Sequence, residues 1–271
     1  MKISICVSPD APPHVFVPLR GDLRGILHKA AEFGYDAVEL HVYDLAPPEV
    51  RQVQSLLATH GLGVSAVCNG WVYRGRTESF TSPEEGARVF ALERLKREID
   101  LAHGFETQAV VGLIKGNLSQ DPALRVQQQT WASDLIRRAD DYAGQKSVTL
   151  VWEPLNRYET NFINRVDEAV ALFQRLGLKH SGIHLDTFHM NIEEPSLEVA
   201  VRMASPYLAY VHFPDSNRWY PGAGHLDLPS VIRALREVSY DGYLTMEMLP
   251  LPDPETAVRR ALENTRRLLM E

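Results

Sequence analysis

The sequence lacks the features that mark several specialised classes of protein. Its 271 residues include only two cysteines, Cys6 and Cys68, too few for a disulfide framework or a thiolate metal cage. No stretch approaches the roughly 20 apolar residues that a membrane-spanning helix needs. The first residues read directly into a strand, without the apolar core of a signal peptide. We therefore expect a reduced, cytoplasmic, globular protein that does not associate with membranes.

The sequence also lacks an excess of positive charge. Lys and Arg number 28 against 35 Asp and Glu, which gives a formal net charge of −7 at pH 7. A surface with that balance repels phosphate backbones, so nucleic acid is not the expected partner. Hydrophobic residues make up 45% of the chain, which is enough for one large core.

Helical and β-rich segments alternate along the whole chain. Helical patterns end near Gly34, Gly61, Gly104, Gly144 and Gly177, where glycine can adopt the positive φ that commonly follows a helix. The predicted helices cover residues 22–33, 48–60, 83–104, 122–143, 166–176, 196–203, 228–237 and 254–269. The predicted strands cover residues 3–7, 36–40, 62–67, 107–112, 147–152, 181–185, 207–211 and 243–246.

This alternation predicts right-handed crossovers and a parallel sheet. Eight such units usually close, so we expect an α/β fold, a single parallel (β/α)8 TIM barrel that forms one domain over residues 1–271. An open, doubly wound sheet is the alternative. The G-x-G-x-x-G phosphate loop that often follows the first strand of such sheets is missing here.

Four late strands each finish with a residue that can bind a metal ion: Glu153, Asp186, His212 and Glu247. Strand side chains alternate, and the opposite faces of these strands are apolar. The residues on those faces are Leu150, Trp152, Ile183, Leu185, Ala209, Val211, Leu244 and Met246. The four polar residues should therefore point inward at the C-terminal mouth, where barrel active sites are built.

Three carboxylates at one point repel one another unless a cation neutralises them. Oxygen ligands with one imidazole suit Mn²⁺, Mg²⁺ or Co²⁺ better than a thiolate-preferring metal. The four residues together therefore predict a divalent-metal site. Taken singly, each acid also fits a loop anchor or an ion pair, and the histidine also fits a hydrogen-bonded core residue.

The motifs around these four residues resemble the ketose 3-epimerase family, which belongs to the xylose isomerase-like barrels. The segments are EPLNRYETN at 153–161, HLDTFHMNIEE at 184–194, HFPDSNR at 212–218, GAGHLD at 222–227 and GYLTME at 242–247. The match covers the second half of the chain in order. In the first half the match is loose and is confined to Val38-Glu39 and Ser82-Pro83.

The resemblance implies that Glu153, Asp186, His212 and Glu247 bind the metal, with Mn²⁺ the usual ion and Co²⁺ or Mg²⁺ as alternatives. It implies that the two glutamates act as acid and base. It also implies that three further residues bind the sugar: Glu159, His189 and Arg218. Relatives commonly form dimers or tetramers, so a homo-oligomer is expected.

The chemistry explains why two glutamates are needed. Epimerisation at C3 of a ketose removes a proton next to a carbonyl, passes through a cis-enediolate and returns a proton to the other face. Glu153 and Glu247 lie on different strands, so each can serve one face. A metal ion can act as a Lewis acid on the developing enediolate. We therefore expect a metal-dependent sugar epimerase that acts on ketoses at C3.

Several alternatives remain open at this level. An aldose–ketose or hydroxypyruvate-type isomerase, acting on a free sugar or a sugar phosphate, begins with the same enolisation, as does a dehydratase of cyclic polyol ketones. An apurinic endonuclease would need histidines after the third and fourth strands, where this chain has Cys68-Asn69-Gly70 and Gly112-Leu113-Ile114. A sugar-binding barrel without turnover is the non-enzymatic alternative.

Four weaker features complete the sequence picture. Glu39 and His41 share a strand face and either line the mouth or anchor a loop. His184 is expected one layer below Asp186, as a hydrogen-bonded interior histidine. The segment 69–82 contains Trp71, Arg74 and Arg76, which fit a lid, a substrate or phosphate contact, an interface or an ordinary surface loop.

Overall fold

The computed structural model describes residues 1–12, 15–42, 45–73 and 77–271, and within these ranges eight parallel strands close into a barrel. The barrel strands are β1 (Lys2–Ser8), β3 (Ala37–His41), β4 (Gly63–Cys68), β5 (Ala109–Val111), β6 (Leu150–Trp152), β7 (Ser181–Asp186), β8 (Leu208–His212) and β9 (Tyr243–Met246). The barrel closes because β1 pairs with both β3 and β9. A two-residue strand, β2 (Leu19–Arg20), adds to the end of β1. The predicted α/β barrel is confirmed.

Helices connect successive strands around the outside. They are α1 (Leu23–Phe33), α2 (Pro47–His60), α3 (Glu85–Gly104), α4 (Pro122–Gln145), α5 (Val166–Leu176), α6 (Thr187–Glu193), α7 (Leu197–Ala204), α8 (Leu228–Glu237) and α9 (Pro254–Met270). Within the described ranges, none of these helices combines the length and apolar character that crossing a bilayer demands. The short helix α6 was not predicted, because seven residues are too few to show a helical period.

The glycine predictions hold at three helix ends and fail at two. The glycines that follow α1, α2 and α5 are left-handed, as predicted: Gly34 (φ 95°), Gly61 (φ 67°) and Gly177 (φ 66°). Gly104 is the last residue of α3, and Gly144 lies inside α4. The left-handed residues there are Glu106 and Ser147. Gly144 instead lies under the exposed ring of His180, which would have to shift to admit a Cβ because the two would be 2.4 Å apart.

The main core lies between the strands and the surrounding helices. All but one of the strand residues predicted to face outward belong to this core. The exception is Ala209, which packs against a smaller cluster that contains Val151 and Tyr210. The cause is a register shift in the β7–β8 pairing between Ile183 and His184, which leaves Ala209 without a partner across the ladder. The shift keeps Asp186 opposite His212.

Truncating Trp152 tests this packing. The side chain is 1% exposed, and its indole nitrogen donates to Ser181 Oγ at 3.0 Å. Because truncation leaves a large cavity, Trp152→Ala should lower the free energy of unfolding by about 3–5 kcal/mol in urea denaturation. Val126→Ala, at a residue 64% exposed on α4, is the control and should change it by no more than about 0.5 kcal/mol. Equal effects of the two substitutions would contradict the assigned packing.

Candidate metal centre

The four predicted ligands converge at the C-terminal mouth of the barrel. Asp186 and His212 are the last residues of β7 and β8, and Glu153 and Glu247 directly follow β6 and β9. One side-chain donor atom from each lies within 4.8 Å of all the others. Four consecutive strands thus bring together residues that are far apart in the sequence, as the alternation pattern predicts.

The Nδ1 atom of His212 faces all three acids. It lies 3.5 Å from Asp186 Oδ2, 3.5 Å from Glu247 Oε2 and 3.9 Å from Glu153 Oε1. Among the described residues, neither this Nδ1 atom nor Glu153 Oε1 has a hydrogen-bond partner, although both are buried. Buried polar atoms without partners are costly. Three carboxylates and one imidazole around such a point form a donor set that fits a divalent cation.

The guanidinium of Arg218 reaches the same cluster. Nη1 donates to Asp186 Oδ2 at 2.7 Å, and Nη2 donates to Glu247 Oε2. The side chain is 3% exposed, and its guanidinium lies 4.6 Å from the ring centre of Phe16 and 5.0 Å from that of Phe188. These contacts hold the positively charged guanidinium beside the three acids, as expected if Arg218 belongs to the site.

Backbone geometry aims Arg218 at the acids. Its φ is 62°, a left-handed conformation that is uncommon for a residue other than glycine and that concentrates at functional sites. Its amide donates to the Asp215 carbonyl at 2.9 Å, and its carbonyl accepts from the Leu249 amide at 2.7 Å. The Asp215 carboxylate organises the rest of this loop by accepting from the amides of Ser216, Gly222 and Leu226.

Glu39, from the opposite side of the barrel, orients His212. Glu39 Oε2 lies 2.8 Å from His212 Nε2 and accepts from the Tyr210 hydroxyl at 2.6 Å, while Glu39 Oε1 lies 2.7 Å from His41 Nε2. Burial opposes ionisation of Glu39, but the charge of His212 and hydrogen bonds from His212 and His41 lower its pKa well below the usual range. An ionised Glu39 makes His212 Nε2 the donor and turns Nδ1 toward the acids. A carboxylate that accepts a hydrogen bond from the non-ligating ring nitrogen commonly sets the orientation of a metal-binding histidine.

The predicted metal ligands differ in the direction in which their pKa values are shifted. Burial and the charge of Asp186 raise the pKa of Glu153 to about 7, against the opposing charges of His212, Arg218 and Lys115. Burial acts the same way on Asp186, but Arg218 and His189 outweigh it and lower its pKa. Burial disfavours a charged His212, yet Glu39 and Asp186 raise its pKa to about 10. Without a metal ion, His212 is therefore protonated at neutral pH.

His189 is placed as a hydrogen-bond donor. It lies in α6, whose N-cap is Asp186 itself, since Asp186 Oδ1 accepts from the amides of Phe188 and His189. The backbone and side-chain amides of Asn156 contact His189 Nδ1 at 3.2 and 2.7 Å. Burial, with smaller effects from Arg218 and Lys115, lowers its pKa to about 3. The ring is therefore neutral and carries its proton on Nε2, 3.7 Å from Glu153 Oε1.

Glu159, the third predicted substrate residue, is at the edge of the site. It is half-buried and lines the same mouth cavity as Glu153, His189, Arg218 and Glu247. Its amide donates to the Asn156 carbonyl at 3.0 Å, which places it in the loop after β6. The structure therefore brings all three predicted substrate residues to the mouth.

Lys115 was missed by the sequence interpretation. It lies after β5, is fully buried, and donates from Nζ to the carbonyl oxygens of Glu153 at 2.6 Å and Gly112 at 3.3 Å. Burial lowers its pKa to about 8, although Glu153 and Glu159 favour its charge. It thus fixes the backbone of one predicted base. No periodicity in the sequence distinguishes it from a surface lysine.

The weaker predictions have mixed outcomes. Glu39 and His41 are both buried. His41 lines the mouth cavity, as one interpretation predicts. Glu39 hydrogen-bonds His212 and Tyr210 of β8 instead of anchoring a loop. His184 is buried as predicted, but neither ring nitrogen has a hydrogen-bond partner among the described residues, so the expectation of a hydrogen-bonded histidine is wrong. Its ring packs edge-on against His212 with centres 4.1 Å apart. Arg74, Arg76 and the side chain of Trp71 lie outside the described residues.

Comparisons with known proteins agree with this architecture. The family model described as xylose isomerase-like TIM barrel matches residues 27–268. A ketose 3-epimerase of Arthrobacter globiformis is 32% identical over 229 residues, covering 83% of this chain and 77% of that protein. An L-ribulose 3-epimerase of Methylomonas sp. (strain DH-1) is 31% identical over 226 residues, with coverage of 83% and 77%.

A solved structure shows the same fold over the full length. The crystal structure of a D-psicose 3-epimerase, determined in the presence of D-fructose, superposes with a TM-score of 0.83 at 22% identity and covers 100% of both chains. The family match and the two relatives above 30% identity together identify the chain. It belongs to the ketose 3-epimerase family of the xylose isomerase-like TIM barrels, and it is an enzyme of the isomerase class.

Proposed function

We propose that this protein is a divalent-metal-dependent epimerase that interconverts ketoses at C3 through a cis-enediolate. The observation that carries the proposal is the convergence of donor atoms from Glu153, Asp186, His212 and Glu247 within 4.8 Å of one another. The names of the ketose and L-ribulose 3-epimerase relatives support a ketose as the substrate. A cytoplasmic location, a homo-oligomeric state and the absence of a nucleic-acid partner stay predictions from the sequence.

The four residues would hold one cation, with Mn²⁺ expected first and Co²⁺ or Mg²⁺ as alternatives. Their oxygen-rich donor set suits these ions. The two orphaned atoms, His212 Nδ1 and Glu153 Oε1, are the buried groups that a cation would satisfy. When bound, the cation supplies Lewis-acid stabilisation of the negative charge that develops on substrate oxygen next to C3.

Two carboxylates on separate strands serve as the bases. Glu153 follows β6 and Glu247 follows β9, so β7 and β8 lie between them. In one direction Glu153 takes the C3 proton: the C–H bond breaks, an O–H bond forms on the carboxylate, and the electron pair moves to O2. Glu247 in its acid form then returns a proton to C3 from the other face. A positioned carboxylate can carry out each of these proton transfers.

The remaining residues hold the substrate and its developing charge. His189 presents its Nε2 proton to the cavity side of Glu153, and Arg218 already reaches two of the acids. Both can donate to O2, where negative charge appears, and preorganised donors of this kind are a major source of catalysis. Glu159 can accept a hydrogen bond from a terminal hydroxyl.

Product analysis on a panel of ketoses tests the reaction class. The Mn²⁺-loaded protein is incubated with ketopentoses and ketohexoses, and the products are separated by chromatography. C3 epimers should appear, because the two bases are opposed across one carbon. Treatment with a chelator should abolish turnover, and Mn²⁺ should restore it. Formation of aldoses alone would replace the proposal with an aldose–ketose isomerase.

A second prediction concerns Glu247. In D₂O, Glu247→Gln should lose exchange of the C3 hydrogen, followed by NMR, in one of the two C3 epimers, because an amide cannot accept the proton that Glu247 removes. Glu263→Gln, at an exposed residue on α9, is the matched control and should exchange like the natural protein. Elemental analysis of both variants separates loss of the base from loss of the metal. Full exchange in both epimers by a metal-loaded Glu247→Gln protein would remove Glu247 from the role of base.

A third prediction follows from the raised pKa values of Glu153 and His212, about 7 and about 10. Cation binding needs both groups deprotonated, so affinity should rise with pH, about tenfold for each pH unit and each proton displaced. Calorimetry in buffers of different ionisation enthalpy should detect release of about two protons near pH 6 and about one near pH 8.5. Glu153→Gln should release one proton fewer at pH 6. Binding without proton release at either pH would contradict this account.

A further inference from the structure

His41 is a buried polar residue that the proposed reaction does not use. It is the last residue of β3 and is 1% exposed. It lines the same mouth cavity as Glu153, Glu247 and Arg218, but it lies on β3, across the barrel from β6–β9, which carry the four predicted ligands. A sugar whose C2 and C3 lie at the acids can therefore place one of its other hydroxyl groups against this wall.

The hydrogen bonds of His41 leave one nitrogen without a partner. Nε2 lies 2.7 Å from Glu39 Oε1, and an ionised carboxylate can only accept, so Nε2 carries the proton. With the proton on Nε2, the acceptor lone pair of an imidazole lies on Nδ1. Nδ1 is buried and has no hydrogen-bond partner among the residues that the structure describes. A buried acceptor left unpaired costs about 1–3 kcal/mol, which a ligand with a donor group would recover.

The surroundings define which donor group fits. The described residues that line this cavity with His41 include the apolar side chains of Phe16 and Val110 and the thiol of Cys68. His41 Nδ1 offers only a lone pair, so its partner must carry a hydrogen. A hydroxyl can supply that hydrogen, whereas a fully ionised phosphate group has only acceptor oxygens.

We propose that His41 Nδ1 accepts a hydrogen bond from a substrate hydroxyl beyond C3, which makes His41 a specificity residue for unphosphorylated ketoses. The inference rests on the proposed function. It deepens that function by naming the part of the sugar that is recognised away from the reacting carbon. Sites that pair a buried polar group with a substrate hydroxyl discriminate strongly against analogues that lack it.

Two substitutions separate this role from a structural one. In His41→Gln the side-chain amide can still donate to Glu39 from near the Nε2 position, but the Nδ1 acceptor is lost. In His41→Asn the amide oxygen can replace the Nδ1 acceptor, but the contact with Glu39 is lost. If His41 only supported Glu39, the asparagine variant would be the more damaged of the two.

The experiment compares kcat/KM of the natural protein and both variants, all loaded with Mn²⁺. The substrates are a ketohexose, its 4-, 5- and 6-deoxy analogues and its 6-phosphate. His41→Gln should lower kcat/KM for the parent ketose about 5- to 15-fold, the amount expected for one hydrogen bond. The loss should vanish for the one deoxy analogue that lacks the bound hydroxyl. His41→Asn should keep the natural preference for the parent ketose over that analogue.

Three results would overturn the inference: no loss in His41→Gln, an equal loss on every deoxy analogue, or a higher kcat/KM for the phosphate ester in the natural protein. Metal content and the urea unfolding midpoint, measured for each variant, keep these results separate from misfolding. If the natural protein turns over none of the ketoses, the proposed function fails. If it turns them over and His41→Gln behaves like it, only the role of His41 fails.

Discussion

Three carboxylates, two of them buried and one half-buried, share one small space at the mouth of the barrel. Glu153, Asp186 and Glu247 repel one another there, and burial removes the water that would screen them. Without a cation, protonated His212 and the guanidinium of Arg218 supply the opposing charge. If the proposed function is right, a bound metal ion neutralises the three carboxylates instead, and the guanidinium becomes available to the substrate. The rest of the site is arranged around that balance of charge.

The cluster rests on a polar layer inside the barrel. The Tyr210 hydroxyl joins Glu39, Ser65 and Thr245 at 2.6–2.8 Å, and Ser65 continues to Ser4 at 2.6 Å. These residues come from five strands, so the network ties the orientation of Glu39 to the closed barrel. Since Glu39 orients His212, the layer below determines which nitrogen faces the acids. Networks that satisfy every member in this way favour one arrangement of the core.

The residues at the mouth cavity and beneath it are held in place by different local interactions. Helix capping by Asp186 places His189, and a strained left-handed backbone between two aromatic rings places Arg218. Lys115 donates to the backbone carbonyls of Gly112 and Glu153 and so links the ends of β5 and β6. Each of these interactions uses the end of a different strand. This division lets one barrel position hydrogen-bond donors, carboxylates and neutralising charges around a single cavity.

The sequence by itself determined the closed barrel and the inward direction of Glu153, Asp186, His212 and Glu247, because both follow from short-range periods. Alternation of strand and helix predicts the parallel sheet, and the two-residue period of a strand assigns each side chain to a face. Where that period is interrupted, as at Ala209 beside the register shift, the prediction fails.

Only the tertiary structure decided which residues support the site. The contact of Glu39 with His212 joins positions 173 residues apart, and no local pattern carries such a pairing. The burial of Lys115 and the unpaired nitrogen of His41 likewise depend on neighbours supplied by distant strands. Charge and hydrogen bonding act across space, whereas a sequence pattern records only neighbours along the chain.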